Sequence, residues 1–420
     1  MRGRWFAIAL TGFACVLLAA PGPASASISR SRLRHGLSNQ MHRVGGASGA
    51  WVTDVEASRR KTLFSSASHR RRILASNTKL FTMAAVLDRF GASATLKTRL
   101  YPRPANAVDG HTLHGSLVVV GSGDPALARA GFARDNHLPL TPLGDLAKDV
   151  RNAGIKRVTG RIRADASIFD RRRGVPTTGV DASGELAPLS GLSFDAGIAH
   201  GHYATNPELV AARALKRRLR AAGVYVKGGT GRANLPGRAL ARRPLGIVDS
   251  PRVRQLLAAT LKPSNNFYAE MLLKRLAASR RGAKGTTRRG TRRVRKLARQ
   301  LGTSIRMENG SGLSRSDRAS PRQVGRLLVA MSHRSDAATF RHSLPLAGEE
   351  GTVAHRMNGT AADGRCRTKT GTLIGVSALS GYCHAGHGLV VFSILMNSVD
   401  VDAARAAQDR MAALIARYQR

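Results

Sequence analysis

Serine, lysine and asparagine side chains recur in three short motifs whose spacing suits nucleophilic catalysis. The first, Ser76-Asn-Thr-Lys79, begins a stretch so apolar that we predict a buried helix. A spacing of three residues places both side chains on one face of that helix. A desolvated lysine amine beside a serine can accept the hydroxyl proton and make the serine nucleophilic. We therefore predict Ser76 as nucleophile and Lys79 as base; a capping serine with a solvated lysine is the alternative for this motif alone.

The second motif, Ser264-Asn-Asn266, follows Pro263 and precedes another apolar helix over residues 267–273. This position predicts a loop between two helices, where the Ser264 hydroxyl could pass a proton to a leaving amine. The Asn266 amide carries both a donor and an acceptor and could hold a substrate amide. Serine and asparagine are also favoured helix caps, so a purely structural role is the alternative.

The third motif, Lys369-Thr-Gly-Thr372, lies in a stretch that we predict as a β-strand. Lys369 would supply a fixed positive charge for a terminal carboxylate, and Thr370 would supply a hydroxyl. Gly371 has no side chain, so a peptide could lie against this strand as an added strand. The backbone amides of Thr372 and Ser76 would then form a donor pair for an oxyanion. For this tripeptide alone, an ordinary strand with an exposed lysine is the alternative.

Together and in this order, the three motifs are typical of β-lactamases and penicillin-binding proteins. The sequence resembles the S13 family of D-alanyl-D-alanine carboxypeptidases and endopeptidases, the penicillin-binding protein 4 type, over nearly all of the chain that follows residue 26. Beyond the three motifs, similar stretches lie at residues 121–127, 262–271, 310–315, 343–348 and 369–382. The resemblance puts five residues of this chain at the family's catalytic positions: Ser76, Lys79, Ser264, Asn266 and Lys369.

The resemblance implies acyl transfer to water on peptidoglycan stem peptides, with neither a metal ion nor an organic cofactor. Ser76 would attack the carbonyl of the penultimate D-alanine, and β-lactams would inhibit the same serine covalently. Arg315 and Asp165 are candidates for gripping the polar end of the stem peptide, although an aspartate at a strand end also suits an ordinary turn. Carboxypeptidase and endopeptidase action differ only in the leaving amine, and both remain open.

Two other functions share these motifs. A serine β-lactamase would hydrolyse its drug acyl-enzyme quickly, but no glutamate loop is evident that would serve a deacylating water as in class A enzymes. A non-catalytic wall-binding or β-lactam-sensing module would be acylated without turnover, and a sensor would need a membrane helix. Turnover of a D-Ala-D-Ala peptide and of penicillin would separate all three functions.

Hydrophobic periodicity predicts an antiparallel sheet built from both ends of the chain, with helices over residues 30–44 and 403–418. The predicted strands of this sheet are 49–55, 61–65, 365–373, 378–383 and 389–396. The resemblance implies an α/β fold of the α+β kind, the penicillin-binding transpeptidase or β-lactamase-like sandwich, in which helices flank the sheet and a β-rich domain is inserted. We expect the catalytic domain over 27–98 and 241–420 and the inserted domain over 99–240. In the middle of the chain we predict short strands, among them 158–164, and one helix over residues 206–222.

Residues 1–26 have the pattern of a signal peptide. Arg2 and Arg4 precede an apolar run over residues 5–20, and Ala24-Ser-Ala26 offers a cleavage site. An uncleaved anchor is the alternative, although the run is shorter than the roughly 20 apolar residues of a spanning helix. We therefore expect a secreted protein, in the periplasm or on the exterior of the cell envelope.

The formal net charge is +43 over 420 residues, and removal of Arg2 and Arg4 lowers it by two to +41. A field of that size would attract anionic wall polymers or lipid head groups. We do not expect a nucleic acid partner, because neither zinc-finger spacing nor a ribonucleoprotein-type aromatic motif occurs. A genome-wide preference for arginine is the alternative explanation of the charge.

Cys366 and Cys383 remain after the predicted export. A hairpin that turns near Ile374 and Gly375 would set them opposite each other. In an oxidising compartment this predicts a disulfide that closes a loop of about 17 residues. Two reduced, buried cysteines are the alternative.

Overall fold

A computed structural model of the chain describes residues 27–56, 61–175, 184–235, 240–279, 282–386 and 388–419. The predicted signal peptide over residues 1–26 lies outside the described residues. Within the described ranges, no helix has both the length and the apolar character that a membrane crossing requires.

Helices begin and end the described fold, and most strands are short. The helices are α1 (Arg30–Val44), α2 (Thr78–Phe90), α3 (Ala130–Asp135), α4 (Gly144–Asn152), α5 (Pro207–Ala221), α6 (Val253–Leu261), α7 (Asn266–Ala277), α8 (Thr287–Gln300), α9 (Pro321–Ser332), α10 (Ala337–His342) and α11 (Val401–Ala416). The strands are β1 (Ala47–Asp54), β2 (Lys61–Ser66), β3 (Arg72–Ile73), β4 (Lys97–Arg103), β5 (Val108–Asp109), β6 (Thr112–Leu113), β7 (Ser116–Val120), β8 (Leu127–Ala128), β9 (Thr141–Pro142), β10 (Arg157–Val158), β11 (Ile162–Asp165), β12 (Ile198–Ala199), β13 (His202–Tyr203), β14 (Tyr225–Val226), β15 (Thr230–Ala233), β16 (Gly246–Asp249), β17 (Arg318–Ala319), β18 (Cys366–Leu373), β19 (Val376–Ala385) and β20 (Gly388–Asn397).

A five-stranded antiparallel sheet joins the two ends of the chain in the order β18-β19-β20-β1-β2. Successive residues of a strand point to opposite faces, so the side chains of this sheet contribute to two hydrophobic cores, one on each face. Val52 and Phe392 pack with α1 and α11, whereas Trp51 and Leu395 pack with α2, α7 and α9. The arrangement confirms the prediction of one sheet made of two N-terminal and three C-terminal strands and flanked by helices.

Helix α2 begins at Thr78, so it carries Lys79, whereas Ser76 precedes it and is not on the helix as predicted. The helix lies inside the molecule. Leu80, Phe81 and Met83 are at most 1% exposed although they occupy different faces of the helix. Helices α6, α7 and α8 pack around it. The apolar run predicted this burial, and the burial gives Ser76 and Lys79 a rigid support.

The middle of the chain has its own core and two main sheets. The order of one is β15-β11-β7-β4-β16 and that of the other is β14-β10-β6-β5. Helices α4 and α5 supply Leu146 and Leu215 to the core beneath them. We predicted one helix here, over residues 206–222, and it is α5. Helices α3 and α4 were missed because six and nine residues give too short a periodic pattern to recognise.

The stretch 158–164, predicted as one strand, forms two strands that belong to different sheets. Strand β10 pairs with β6 and β14, whereas β11 pairs with β7 and β15. The chain passes between the sheets at Gly160, where a Cβ would overlap the Gly115 carbonyl oxygen. Close backbone approach therefore requires the glycine that interrupts the strand.

Strands β4 and β16 lie where the chain enters and leaves the middle region, and they pair antiparallel from Lys97↔Asp249 to Leu100↔Gly246. Both belong to the five-stranded sheet of the middle region. We therefore propose that the inserted domain extends from about residue 97 to about residue 249. The division into a catalytic and an inserted domain stays a prediction.

Candidate active site

Ser76 lies in a single 3-10 turn, Ala75–Asn77, immediately before helix α2. Ala75 has a φ of 46°, in the left-handed region that residues with side chains seldom adopt. Gly312 lies behind this turn with a φ of 89°, and a Cβ there would overlap the Ala75 carbonyl oxygen. The sharp turn leaves Ser76 half-buried, whereas Lys79 is fully buried.

The Lys79 amine joins the first motif to the second. Its Nζ donates to Ser76 Oγ at 2.8 Å and to Asn266 Oδ1 at 2.7 Å. It also donates to the carbonyl oxygen of Ser311 at 2.7 Å. The Asn266 amide nitrogen donates to the Glu185 carbonyl oxygen at 3.0 Å. A substrate amide would therefore have to replace a contact that Asn266 already makes.

Burial lowers the pKa of Lys79 to about 7, although the negative charges of Glu270, Asp317 and Glu185 oppose this shift. A buried ammonium is disfavoured because the protein interior solvates its charge poorly. Near neutral pH the amine is therefore neutral in a substantial fraction of molecules, and a neutral amine can accept the Ser76 proton.

Glu270 belongs to the same site, although it lies in none of the three sequence motifs. Its Oε1 accepts hydrogen bonds from the backbone amides of Gly310 and Ser311, each at 2.7 Å. Those bonds fix the loop whose Ser311 carbonyl oxygen accepts from Lys79. Burial raises the pKa of Glu270. One feature of the sequence could have identified Glu270: it is a lone carboxylate in an apolar helix, one turn after Asn266. A charged side chain is seldom buried without a role, so its position was informative.

The third motif lies on β18, beside the Ser76 turn. The Asn77 side chain donates to the Lys369 carbonyl oxygen at 3.0 Å. A Cβ built at Gly371 would lie 2.8 Å from the Leu74 carbonyl oxygen and 3.1 Å from the Ser76 nitrogen. A larger residue would push the strand away from the turn, so glycine permits this approach. The structure thus brings all three motifs together around Ser76.

Lys369 is fully buried, and its Nζ donates to the Thr370 carbonyl oxygen at 2.9 Å. Burial, and then repulsion by Lys79, holds the pKa of Lys369 well below its usual range. A carboxylate placed beside this amine would raise the pKa again, because an opposite charge favours the ammonium. The positive charge predicted for Lys369 is therefore not fixed, and it depends on whether a carboxylate is bound beside the amine.

The two threonines of the third motif have different surroundings. Thr370 is nearly buried, and its Oγ1 donates to the Thr352 hydroxyl at 2.7 Å. Thr372 is exposed, and its Oγ1 accepts from the Arg405 guanidinium at 3.3 Å. The two hydroxyls on either side of Gly371 are thus held by residues of other parts of the chain.

Ser264 lies between α6 and α7, in the predicted interhelical loop. Its φ is 62°, and it is half-buried. Across the described part of the chain, its hydroxyl makes no hydrogen bond. Asn265, rather than Ser264, caps α7, because its side chain accepts from the Tyr268 amide at 3.0 Å. The Ser264 hydroxyl is therefore not used by a cap, and its catalytic role stays a prediction.

Arg315 and Asp165, the residues predicted to grip the stem peptide, lie in different settings. Arg315 is exposed and donates to the Ile374 carbonyl oxygen at 3.0 Å, at the tip of the hairpin that carries the third motif. The Asp165 carboxylate is buried at the end of β11 and accepts from the amides of Ser167 and Leu235 at 2.8 and 2.6 Å. The Ser167 contact is that of a strand-end turn, and the Leu235 contact joins this turn to a distant part of the chain. A substrate role for Arg315 or Asp165 stays a prediction.

The predicted disulfide is confirmed: Cys366 and Cys383 are bonded to each other. They face each other across β18 and β19, and the hairpin between them turns after Leu373 and before Val376. The bridge therefore closes the base of the hairpin whose β18 strand carries the third motif. Within the described ranges, no cluster of three or more histidine, cysteine, aspartate or glutamate side chains is placed to hold a metal ion.

The fold is that of a penicillin-binding protein. The crystal structure of penicillin-binding protein 4 from Haemophilus influenzae matches with a TM-score of 0.71 and 18% identity, over 90% of this chain and 97% of that one. The same protein complexed with a novel β-lactam matches with a TM-score of 0.69 and 18% identity, over 90% of this chain and 98% of that one. The predicted sandwich with an insertion is thereby confirmed as a fold class.

The chain belongs to the D-Ala-D-Ala carboxypeptidase 3 (S13) family, which matches residues 36–202 and 201–418. A D-alanyl-D-alanine carboxypeptidase from Actinomadura sp. (strain R39) is 29% identical over 89% of this chain and 82% of that protein. A carboxypeptidase from Mycobacterium tuberculosis is 27% identical over 80% of this chain and 74% of that protein. The resemblance seen in the motifs is thus confirmed as family membership, and the chain is a peptidase of that family.

Proposed function

We propose that this chain is a secreted serine-type D-alanyl-D-alanine carboxypeptidase or endopeptidase that hydrolyses peptidoglycan stem peptides through an acyl-enzyme on Ser76. One observation carries the proposal: the buried Lys79 Nζ lies 2.8 Å from Ser76 Oγ and 2.7 Å from Asn266 Oδ1. An amine in that position can activate a hydroxyl that is otherwise a poor nucleophile. Membership of a family whose relatives are named D-alanyl-D-alanine carboxypeptidases supports the choice of substrate.

In the acylation step, Ser76 Oγ bonds to the carbonyl carbon of the penultimate D-alanine while its proton passes to Lys79 Nζ. The backbone amides of Ser76 and Thr372 donate to the developing oxyanion. The bond to the leaving amine then breaks, and that amine takes a proton, relayed from Lys79 through Ser264. The products are an ester on Ser76 and a free amine, which belongs to D-alanine in a carboxypeptidase or to the next stem peptide in an endopeptidase.

In the deacylation step, a water molecule attacks the ester carbonyl and gives one proton to Lys79. The Ser76 oxygen leaves and takes that proton back, which restores the enzyme and releases the stem peptide as a carboxylic acid. Lys369 and Thr370 lie on the strand beside the ester, where they would bind the terminal carboxylate of a carboxypeptidase substrate. No step requires a metal ion or an organic cofactor.

β-Lactams follow the same first step, with the ring amide in place of the peptide bond. The ring nitrogen stays attached after the amide opens, so the leaving group does not depart. We propose β-lactams as covalent inhibitors of this chain, in keeping with the β-lactam complex of the Haemophilus influenzae protein.

Two turnover measurements test the proposal on purified protein. A diacetyl-L-Lys-D-Ala-D-Ala peptide should release D-alanine with turnover, whereas penicillin should give one stable adduct per chain. Rapid penicillin hydrolysis with little peptide turnover would favour the β-lactamase alternative. A stable adduct with turnover of neither carboxypeptidase nor cross-linked endopeptidase substrates would favour a non-catalytic module.

A further inference from the structure

Helix α8 carries a concentration of positive charge that the peptidase site does not use. Neither aspartate nor glutamate occurs between Glu270 and Glu308, a segment that includes the whole helix. Its exposed cations are Arg288, Arg289, Arg292, Arg293, Lys296 and Arg299. We name these six residues the arginine face.

The opposite side of α8 is held firmly against the core. Val294 and Leu297 are buried, and a Cβ at Gly290 would overlap the Leu273 carbonyl oxygen, so α8 and α7 pack very closely. The helix cannot turn its cations elsewhere, and the arginine face is presented to solvent over about 17 Å at 1.5 Å per residue.

This arrangement is electrostatically unfavourable for the isolated chain. Like charges four residues apart, such as Arg288 and Arg292 or Arg289 and Arg293, repel each other on a helix. Arg288 and Arg289 also lie in the first turn, where the helix dipole favours anions instead. In the described part of the chain, none of the six cations forms an ion pair. An anion bound from outside would relieve both kinds of repulsion.

A cavity of about 410 Å³ lies between the start of α8 and the segment 170–175. Its charged lining comes from Arg172, Arg288, Arg289, Arg292 and Asp170, and the Asp170 carboxylate is already paired with Lys274 at 2.7 Å. A second depression of about 270 Å³ continues along the helix and is lined by Arg289, Arg292, Arg293, Lys296 and Ala277. The two depressions form a cationic groove with room for groups the size of phosphate.

We infer that the arginine face binds a linear phosphodiester polymer of the cell wall. Guanidinium groups bind phosphate oxygens through paired hydrogen bonds, and their repeat along the helix suits a ligand with repeated negative charges. Aromatic residues are absent from residues 282–307 and from the lining of both depressions, so the groove offers no stacking surface for nucleic acid bases. Binding here does not depend on Ser76 chemistry, so it would hold the enzyme at the wall whatever substrate is cleaved.

Binding of fluorescent poly(glycerol phosphate) to the purified chain, followed by anisotropy at 0.15 M salt, tests this inference. The test variant carries Arg288→Gln, Arg289→Gln, Arg292→Gln and Arg293→Gln. The matched control carries Arg213→Gln, Arg217→Gln, Arg218→Gln and Arg220→Gln, which remove the same charge from exposed positions of α5. The test variant should bind about tenfold more weakly, as expected when several exposed charge contacts of modest strength are lost together, and the control should stay close to the native chain.

Equal weakening in both variants would overturn the inference, because it would mean that only the overall charge matters. Tighter binding of single-stranded DNA with the same number of phosphates, or binding only to phosphatidylglycerol vesicles, would also overturn it. A measurement on the unaltered chain covers the case in which the test variant does not fold. The polymer should protect Arg288 and Arg292 from phenylglyoxal more than it protects Arg213 and Arg217, and equal protection would contradict the inference.

Discussion

The Lys79 amine can accept the Ser76 proton only in its neutral form, which makes acylation depend on pH. Burial lowers the pKa of Lys79 to about 7, and below that value the amine is mostly protonated. The rate of acylation by a β-lactam should therefore rise between about pH 5.5 and 8 and level off above that range. Rapid-mixing measurements with a chromogenic cephalosporin would give the profile. A rate that is constant over this range would contradict the role of Lys79 as base.

Glu270 should set the position of that rise. Its negative charge raises the pKa of Lys79, so Glu270→Gln should lower that pKa and move the profile to lower pH. The glutamine keeps an oxygen that can accept from the amides of Gly310 and Ser311, so the loop should keep its place. Glu308→Gln, at an exposed position near the same loop, is the control and should leave the profile unchanged. The same midpoint in Glu270→Gln as in the native chain would show that Glu270 does not act through its charge.

At the scale of single residues, the sequence could predict the side chains of the motifs but not all of the Lys79 environment. One acceptor for Lys79 is the Ser311 carbonyl oxygen, and a backbone group has no residue type to recognise. Residue type also could not show that Asn265, and not Ser264, would cap α7. Only the folded loop decides which of two neighbouring polar residues points back to the helix.

At the scale of elements, the disulfide is expected to stabilise the hairpin that carries the third motif. A bridge that closes about 17 residues should contribute roughly 3 kcal/mol to the free energy of unfolding. The Cys366→Ala/Cys383→Ala variant should lose about that much in urea denaturation. Reductant should destabilise the native chain to a similar extent and leave the double variant unchanged. Equal stability of the native chain and the double variant would contradict this prediction.

The length of an element explains which elements could be predicted. Helix α1 has 15 residues and was predicted with its observed bounds, Arg30–Val44. Strands β18, β19 and β20 have eight to ten residues and were placed to within a few residues. In the middle region most strands have only two to five residues. Their pairing depends on distant parts of the chain, and a short pattern cannot distinguish them from α4.

At the scale of the whole molecule, the formal charge of +41 expected after export predicts association with polyanionic walls. The Debye length falls from about 30 Å at 0.01 M salt to about 8 Å at 0.15 M, so the association should weaken over that range. Pelleting of the protein with purified cell walls at both salt concentrations would measure the change. Pelleting that does not depend on salt would remove the electrostatic explanation.

The overall architecture could be predicted because both ends of the chain contribute long strands, buried on both faces, to one sheet. The insertion interrupts the sequence but not the sheet, since β1 pairs with β20 across most of the chain. The limits that we propose for the insertion, about residues 97 and 249, differ from those expected from the sequence. They depend on the pairing of β4 with β16, which are about 150 residues apart. Nothing in the sequence of either strand identifies the strand with which it pairs.

The central claim, that Ser76 forms the acyl-enzyme, is tested most directly by mapping a penicillin adduct. The protein is incubated with penicillin and digested, and its peptides are analysed by mass spectrometry beside those of the Ser76→Ala variant. We predict one penicilloyl group on Ser76 in the native chain and none in the variant, which should keep its unfolding temperature. An adduct on another residue, or a folded Ser76→Ala chain that is still labelled, would contradict the claim.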